Sequence, residues 1–102
     1  MKADLITTRQ AILEGRTHPQ AIAEACLAAA QSSACQHAFL QITPENLQQT
    51  ASQPGTTGRA LAGLAVSVKD LFDVQGEVTA AGSVVLQNQP PASQDAAAVA
   101  RL

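Results

Sequence analysis

One lysine lies in the middle of an apolar run of the sequence, LAGLAVSVKDLFDV, at residues 61–74. Lys69 is followed directly by Asp70, and Ser67 precedes it by two positions. Partial burial favours the neutral form of an amine. A neutral amine can take a proton from a hydroxyl group and return it to a leaving group, as in serine–lysine hydrolases. A general base is therefore one of two interpretations that the residues leave open. The competing interpretation is a lysine whose stem packs on apolar surface while its ammonium group reaches water.

Ser67 and Asp70 are the polar groups nearest to this lysine in sequence. In a regular strand Ser67 would share a face with Lys69, because side chains alternate between the two faces. We interpret Ser67 as a small buried residue rather than a nucleophile, since a nucleophile also needs an exposed oxyanion site. Asp70 is expected to hold the backbone at the end of the strand, with an ion pair to Lys69 as the competing role.

The apolar run around Lys69 has the character of a buried β-strand. Its apolar residues do not alternate cleanly with polar ones, which is typical of a strand covered on both faces: Leu64, Ala65, Val66 and Val68. A second short strand is predicted over residues 38–42, AFLQI. These patterns predict an α/β fold with a parallel or mixed sheet.

Two helices are predicted before the first strand. The first runs from Asp4 to Glu14 and stops at Gly15. Its candidate apolar positions are Leu5, Ile6, Ala11, Ile12 and Leu13. The second begins at a capping-box pattern, Thr17 with Gln20, and runs to about Ser32. Its apolar stripe is formed by Ile22, Ala25, Cys26, Ala29 and Ala30.

Two further helices are predicted in the rest of the chain. One has Thr43 as its cap and Pro44 in its first turn, and it runs to about Ala51. The last follows Ser93 as its cap, with Asp95 placed favourably against the helix dipole. Between them, residues 52–60, SQPGTTGRA, are rich in turn formers and are expected to be exposed.

The residues that follow the lysine form an ordered set. Val68-Lys69-Asp70 is followed by Gly76 and then by Thr79-Ala80-Ala81-Gly82-Ser83. This set resembles the N-terminal motif of the amidase signature family, and the resemblance extends over nearly the whole chain. It implies that Lys69 is catalytic. The residues implied to form the scaffold of the motif are Asp70, Gly76, Thr79, Gly82 and Ser83.

The resemblance implies a mixed sheet covered by helices and a hydrolase that cleaves a carboxylic, non-peptide amide at its C–N bond. Lys69 would be the base of a Ser-cisSer-Lys triad, and backbone N–H groups would form the oxyanion hole. The two serines of the family belong to a Gly/Ser-rich stretch that this sequence does not contain, so the chain alone is expected to be inactive. Ala65 replaces the common proline of the family's strand, and Ala80 stands where threonine is frequent.

The expected organisation is the N-terminal part of a single, incomplete amidase-signature domain over residues 1–102. It comprises a helical preamble at about 1–52, a linker at about 52–60, and the lysine-motif strand with its following loop and helix at 61–102. The resemblance implies a small-molecule amide substrate, with a homodimer or the remainder of the domain as possible partners. Two alternatives stay open: the A-subunit-type glutaminase of a tRNA-dependent amidotransferase, and a non-catalytic remnant that docks through exposed apolar faces.

Charge and composition argue against several other classes of protein. The net charge is −2 with no basic block, which argues against direct binding to nucleic acid. No apolar run reaches the roughly 20 residues that span a bilayer, and the N-terminus lacks the basic-then-apolar pattern of a secretion signal, so no membrane contact and a cytoplasmic location are expected. No cofactor or metal is expected, because the sequence has neither a phosphate-binding glycine loop nor a ligand cluster.

The two cysteines, Cys26 and Cys35, lack the paired spacing of a disulfide framework or a zinc site. They are predicted to be free thiols that are buried or half-buried, since unpaired cysteines behave as small hydrophobic residues. The alternative is a disulfide, or a metal site completed by His18 and His37.

Overall fold

The computed structural model describes residues 3–102, and it divides the chain into two compact units. Unit 1 is Met1–Ala65 and unit 2 is Val66–Leu102. The described α-helices are α1 (Leu5–Leu13), α2 (Pro19–Ala30), α3 (Pro44–Ala51) and α4 (Ala97–Ala100). Short 3₁₀ helices lie at Ser33–Cys35 and Thr56–Gly58. None of the helices in residues 3–102 is long and apolar enough to cross a membrane.

Helix α1 lies within its predicted range, but Asp4 and Glu14 are its N-cap and C-cap rather than helical residues. The carboxylate of Asp4 accepts a hydrogen bond from the Thr7 backbone N–H at 2.7 Å, which caps the first turn. Gly15 follows the helix with φ +72°, a left-handed conformation that glycine adopts at little cost. The predicted apolar face is mostly wrong, however. Ile12 is buried, whereas Leu5, Ile6 and Leu13 are exposed.

Helix α2 starts one residue later than predicted. His18, not Thr17, is the N-cap, and its Nδ1 atom accepts the Ala21 backbone N–H at 3.2 Å. The helix ends at Ala30, short of the predicted Ser32. The predicted stripe is also wrong, because α2 packs against α3 and buries Pro19 and Ala23. Members of that stripe that are exposed instead are Ala25, Cys26 and Ala29.

Helix α3 matches its prediction, since Thr43 is its N-cap and Pro44–Ala51 its extent. The buried hydrophobic residues of unit 1 are one isoleucine and three alanines: Ile12, Ala23, Ala51 and Ala62. Thr56 is also buried, and its hydroxyl group donates to the Gln53 carbonyl oxygen at 2.7 Å. Burial of alanine removes little apolar area from water, so the core of unit 1 depends on close approach of the backbone. Gly63 lies so near Pro19 that a Cβ atom at position 63 would be 2.7 Å from the proline Cγ.

The predicted strands at 38–42 and 64–68 are wrong for this structure, because residues 3–102 contain no β-strand. A strand is held by hydrogen bonds to a neighbouring strand, and a single extended segment is not stable alone. No such ladder forms among the described residues, and Leu40, Val66 and Val68 are exposed. The predicted α/β fold is thus corrected for this part of the chain, which consists of helices and turns.

Unit 2 consists mainly of turns and ends in the short helix α4. The predicted cap of this last helix is wrong, because Ala96, not Ser93, precedes its first turn. The carboxylate of Asp95 is turned to another partner, since its Oδ1 atom accepts the backbone N–H of Gln75 at 2.7 Å. The last helix is four residues long.

Candidate functional site

Lys69 lies at the start of a tight turn in unit 2, and the residue is exposed. Its carbonyl oxygen accepts the backbone N–H groups of Leu71 at 2.7 Å and Phe72 at 3.1 Å. The predicted partial burial of Lys69 is wrong for this structure, and so is the predicted burial of Ser67. Both predictions assumed covering strands, and the described residues supply none.

An open groove of about 240 Å³ runs beside Lys69 within unit 2. Its lining is mainly apolar, and α4 supplies one side of it. The lining residues are Val66, Ser67, Val68, Lys69, Phe72, Ala98, Val99 and Leu102. The structure therefore sets Lys69 and Ser67 at the border of an apolar surface that water reaches.

The side chain of Asp70 accepts two hydrogen bonds from the loop that contains the second half of the motif, residues 79–83. Its Oδ1 atom accepts the Ala80 backbone N–H at 3.1 Å, and its Oδ2 atom accepts the Gly82 backbone N–H at 3.0 Å. Hydrogen bonds to a charged acceptor are stronger than neutral ones. The carboxylate next to Lys69 thus ties the lysine turn to residues 80–82. The expectation that Asp70 would hold backbone fits these bonds, although the backbone it holds lies ten and twelve residues further along.

The turn that Asp70 grips has an unusual backbone. Ala81 and Gly82 both have positive φ, at +51° and +69°. Ser83 donates its backbone N–H to the Ala80 carbonyl oxygen at 2.8 Å, and its Oγ atom accepts the Val85 N–H at 3.2 Å. Glycine at position 82 allows this geometry without a steric penalty. The Gly-Ser pair of the motif therefore closes a tight turn.

Thr79 is held by a third contact, which sequence reasoning missed. Its hydroxyl group donates to Oδ1 of Asp73 at 2.6 Å. Gly76 has φ +83°, and its N–H donates to the Ala92 carbonyl oxygen at 2.9 Å. Asp73 lies near Gly76 in a stretch rich in turn formers, where Asp side chains commonly accept hydrogen bonds from nearby backbone or hydroxyl groups. That position could have indicated its contact with Thr79. The structure thus brings the predicted motif residues into one hydrogen-bonded loop that begins at Lys69: Asp70, Gly76, Thr79, Gly82 and Ser83.

The cysteines are free thiols, as predicted, but Cys26 is exposed rather than buried, and Cys35 is half-buried. Within residues 3–102, no three side chains of His, Cys, Asp or Glu lie close enough together to hold a metal ion. The chemical groups of the described site are the amine of Lys69, the carboxylates of Asp70 and Asp73, and hydroxyl groups.

Comparison with protein families gives one match that covers most of the chain. The family model described as Amidase matches residues 21–102, a range that includes Lys69 and its loop. Two curated relatives are A subunits of glutamyl-tRNA(Gln) amidotransferase. The one from Ruegeria pomeroyi is 32% identical over 85% of this chain, and the one from Bordetella avium is 37% identical over 83%.

A shorter match joins the chain to AtzE of Pseudomonas sp. strain ADP, which is named as a subunit of 1-carboxybiuret hydrolase. The two are 52% identical over 42 residues, which is 41% of this chain and 9% of AtzE. The chain spans about a fifth of the two amidotransferase relatives, 19% and 18% of their lengths.

Two solved structures share the fold of this chain. Both belong to work on a vestigial protein complex that reveals the evolutionary origins of an s-triazine catabolic enzyme, and one has inhibitor bound. Each superimposes with a TM-score of 0.88 and 30% identity, over 97% of this chain and 23% of the other chain. The helices and turns described above are therefore an arrangement that longer proteins also contain.

Proposed function

Since the chain belongs to the amidase family, we propose that it is the lysine-bearing part of a hydrolase that cleaves a carboxylic amide at its C–N bond. The observation that carries this proposal is the loop from Lys69 to Ser83. It lies inside the family match, and within it Asp70 bonds to Ala80 and Gly82 while Asp73 bonds to Thr79. A base must be held in a fixed place to act, and this loop supplies such a frame.

In the proposed mechanism, the neutral amine of Lys69 takes a proton through one serine from the hydroxyl group of a second, nucleophilic serine. The second serine attacks the amide carbon, the C–N bond breaks, and the proton passes to the leaving nitrogen. Water then attacks the acyl-serine ester: Lys69 again accepts a proton, now from the water, and this proton returns to the serine oxygen as the carboxylic acid leaves. Both serines would come from a segment equivalent to the part of the relatives that this sequence does not span. That segment would also cover the groove beside Lys69 and remove the amine from bulk water.

The amidotransferase interpretation shares this chemistry up to the acyl-enzyme. Two relatives carry that name and a third is named as part of a hydrolase, so the names of the relatives support amide or C–N bond chemistry without favouring one acceptor. We keep hydrolysis as the proposed function because water is the simplest acceptor. The acceptor-binding residues of an amidotransferase would lie outside residues 61–102.

A chimera tests the proposal directly. Residues 21–102 replace the equivalent residues of AtzE, and the reassembled hydrolase is assayed for hydrolysis of 1-carboxybiuret. We expect turnover well above background, because this segment would supply the base while the relative supplies the remaining groups. The control is a chimera that carries Asp70→Ala. This change removes the two hydrogen bonds that Asp70 accepts from Ala80 and Gly82, so turnover should fall.

A chimera that folds and assembles like the parent, as judged by thermal melting and size-exclusion chromatography, yet shows no turnover would contradict the proposal. That result would favour the non-catalytic remnant, in which the exposed apolar residues of unit 2 serve only for docking.

A further inference from the structure

Residues 92–96 are fastened alongside residues 73–77 by four hydrogen bonds. Gly76 N–H donates to the Ala92 carbonyl oxygen, and Ala92 N–H donates to the Glu77 carbonyl oxygen, both at 2.9 Å. Ala96 N–H donates to the Asp73 carbonyl oxygen at 2.8 Å. The fourth bond joins the Gln75 N–H to Oδ1 of Asp95 at 2.7 Å. We name this contact the latch.

The latch shares a residue with the motif loop. Asp73 accepts Ala96 with its backbone oxygen and Thr79 with its side-chain oxygen. The stretch from 70 to 82 is therefore fixed at three places: by Asp70 on Ala80 and Gly82, by Asp73 on Thr79, and by the latch on residues 73–77. Only the first of these involves a carboxylate of the predicted motif.

Within the latch, Asp95 supplies the single side-chain contact among its four bonds. A backbone N–H bonded to a carboxylate contributes more than one bonded to a neutral oxygen. The 2.7 Å bond from Gln75 is also the shortest of the four. Asp95 is therefore the side chain whose loss should release the latch.

We propose that Asp95 is a positioning residue, which holds the Lys69 loop in place by fastening residues 92–96 to residues 73–77. A role of Asp95 in catalysis depends on the proposed function of Lys69. The hydrogen bonds of the latch do not depend on it. Oδ1 is the atom that accepts the Gln75 N–H, and asparagine offers a carbonyl oxygen at the same position. The geometry therefore predicts that Asp95→Asn keeps the latch and Asp95→Ala opens it.

The test is backbone amide hydrogen exchange, followed by NMR on the 102-residue chain. In Asp95→Ala, we expect the exchange of the Gly76, Ala92 and Ala96 amides to become about tenfold faster or more. These three amides keep their own acceptors, so faster exchange there reports release of the whole latch rather than loss of one bond. The backbone resonances of Lys69 should shift in the same variant. Asp95→Asn keeps an oxygen at this position without its charge, so both signals should lie closer to the wild type than to Asp95→Ala.

Two controls separate a latch from a general loss of stability. Asp73→Ala removes the contact to Thr79 but keeps the backbone oxygen that accepts Ala96, so the Ala92 and Ala96 amides should keep their protection. Amides of α1 and α2 should be unchanged in every variant, because those helices belong to unit 1.

Four results would overturn the proposal. Unchanged protection of the three amides in Asp95→Ala would show that the side chain does not hold the latch. Equal exchange in Asp95→Asn and Asp95→Ala would show that an oxygen at the Oδ1 position is not what matters. A wild-type chain whose three amides exchange at unfolded rates would show that the latch is not formed. Faster exchange with unmoved Lys69 resonances would remove the positioning role.

None of these measurements uses activity. An inactive AtzE chimera would therefore overturn the proposed function and leave the latch intact, whereas the exchange results above would overturn the latch alone.

Discussion

Asp70 holds the motif loop, residues 69–83, through hydrogen bonds to both of its carboxylate oxygens. This arrangement makes a specific prediction. Oδ1 accepts the Ala80 N–H and Oδ2 accepts the Gly82 N–H. Asparagine has one oxygen and one NH₂ group, so one backbone N–H would face another donor. We therefore expect Asp70→Asn to release the loop nearly as much as Asp70→Ala. At Asp73, where Oδ1 alone accepts Thr79, the same change should be tolerated.

The size of the effect follows from the two bonds. Hydrogen bonds to charged groups contribute about 1.5–3 kcal/mol each, and the Gly82 bond is exposed to water, so its share is at the low end or below. Together they should stabilise the closed loop by about 2.5 kcal/mol. That figure corresponds to a roughly 70-fold faster amide exchange at Ala80 and Gly82 in Asp70→Ala.

Hydrogen exchange at these two amides, followed by NMR, measures the effect, and Asp73→Asn is the matched control. We expect Asp70→Asn to fall within about threefold of Asp70→Ala, while Asp73→Asn keeps wild-type exchange. If the Ala80 and Gly82 amides kept wild-type protection in Asp70→Asn, the claim that both oxygens of Asp70 hold the loop would be refuted. Equal loss in Asp70→Asn and Asp73→Asn would show that charge, rather than the number of acceptor oxygens, holds the loop.

Further predictions concern unit 1. A Cβ atom on Gly63 would lie 2.7 Å from Cγ of Pro19 and 2.8 Å from Cγ2 of Thr56, at φ +86°. Gly63→Ala should therefore lower the free energy of unfolding in urea by about 3 kcal/mol. The control is Gly15→Ala, where φ is +72° and no atom lies near, and it should cost about 1 kcal/mol. Equal costs would contradict the close approach of Gly63 to Pro19. The backbone N–H of Thr7 lowers the pKa of Asp4 from its ordinary 3.8, so the cap stabilises α1 above that value and is lost as the pH falls through the lowered pKa. The Thr7 amide resonance should titrate in this acid range in the wild type and not in Asp4→Asn, and a persistent titration in that variant would contradict the cap. The side chains of Gln10 and Arg16 lower the pKa of Glu14 from 4.5 in the same sense, so Gln10→Ala should raise the pH at which the Glu14 carboxyl titrates by NMR.

Helices whose ends are marked by capping residues, proline or glycine could be predicted from the sequence. Asp4 and Gly15 bound α1, and Thr43 with Pro44 starts α3, because caps and glycine stops act over three or four residues. The start of α2 lies one residue later than predicted because His18 can also cap a helix. Which faces are buried could not be predicted, since partner helices decide burial, as the exposed Cys26 shows.

The strand predictions were wrong for a physical reason. Apolar β-branched residues favour strands only when neighbouring strands complete the hydrogen bonds, and propensity at 64–68 says nothing about whether those neighbours are present. The expected partial burial of Lys69 rested on the same assumption. In this structure Lys69 is exposed, and residues 3–102 contain no strand.

The family was predicted better than the geometry of the site. The order of Lys69, Asp70, Gly76 and the residues from Thr79 to Ser83 indicated the family, and the family match includes them. The contacts of Asp73 and Asp95 were missed, because they join residues 6 and 20 positions apart. Spacing along a sequence gives no direct information on such pairs.

The central claim is that Lys69 is the base that this chain contributes, and the turnover number of the AtzE chimera tests it most directly. General acid–base groups contribute about 10²–10⁴-fold, so Lys69→Met should lower kcat by at least about 100-fold. Lys69→Arg should be equally damaging, because arginine keeps the charge but does not give up its proton. Arg101→Met, which removes another exposed cation of unit 2, should leave kcat unchanged. A Lys69→Met chimera that keeps kcat within about threefold of its parent would contradict the account.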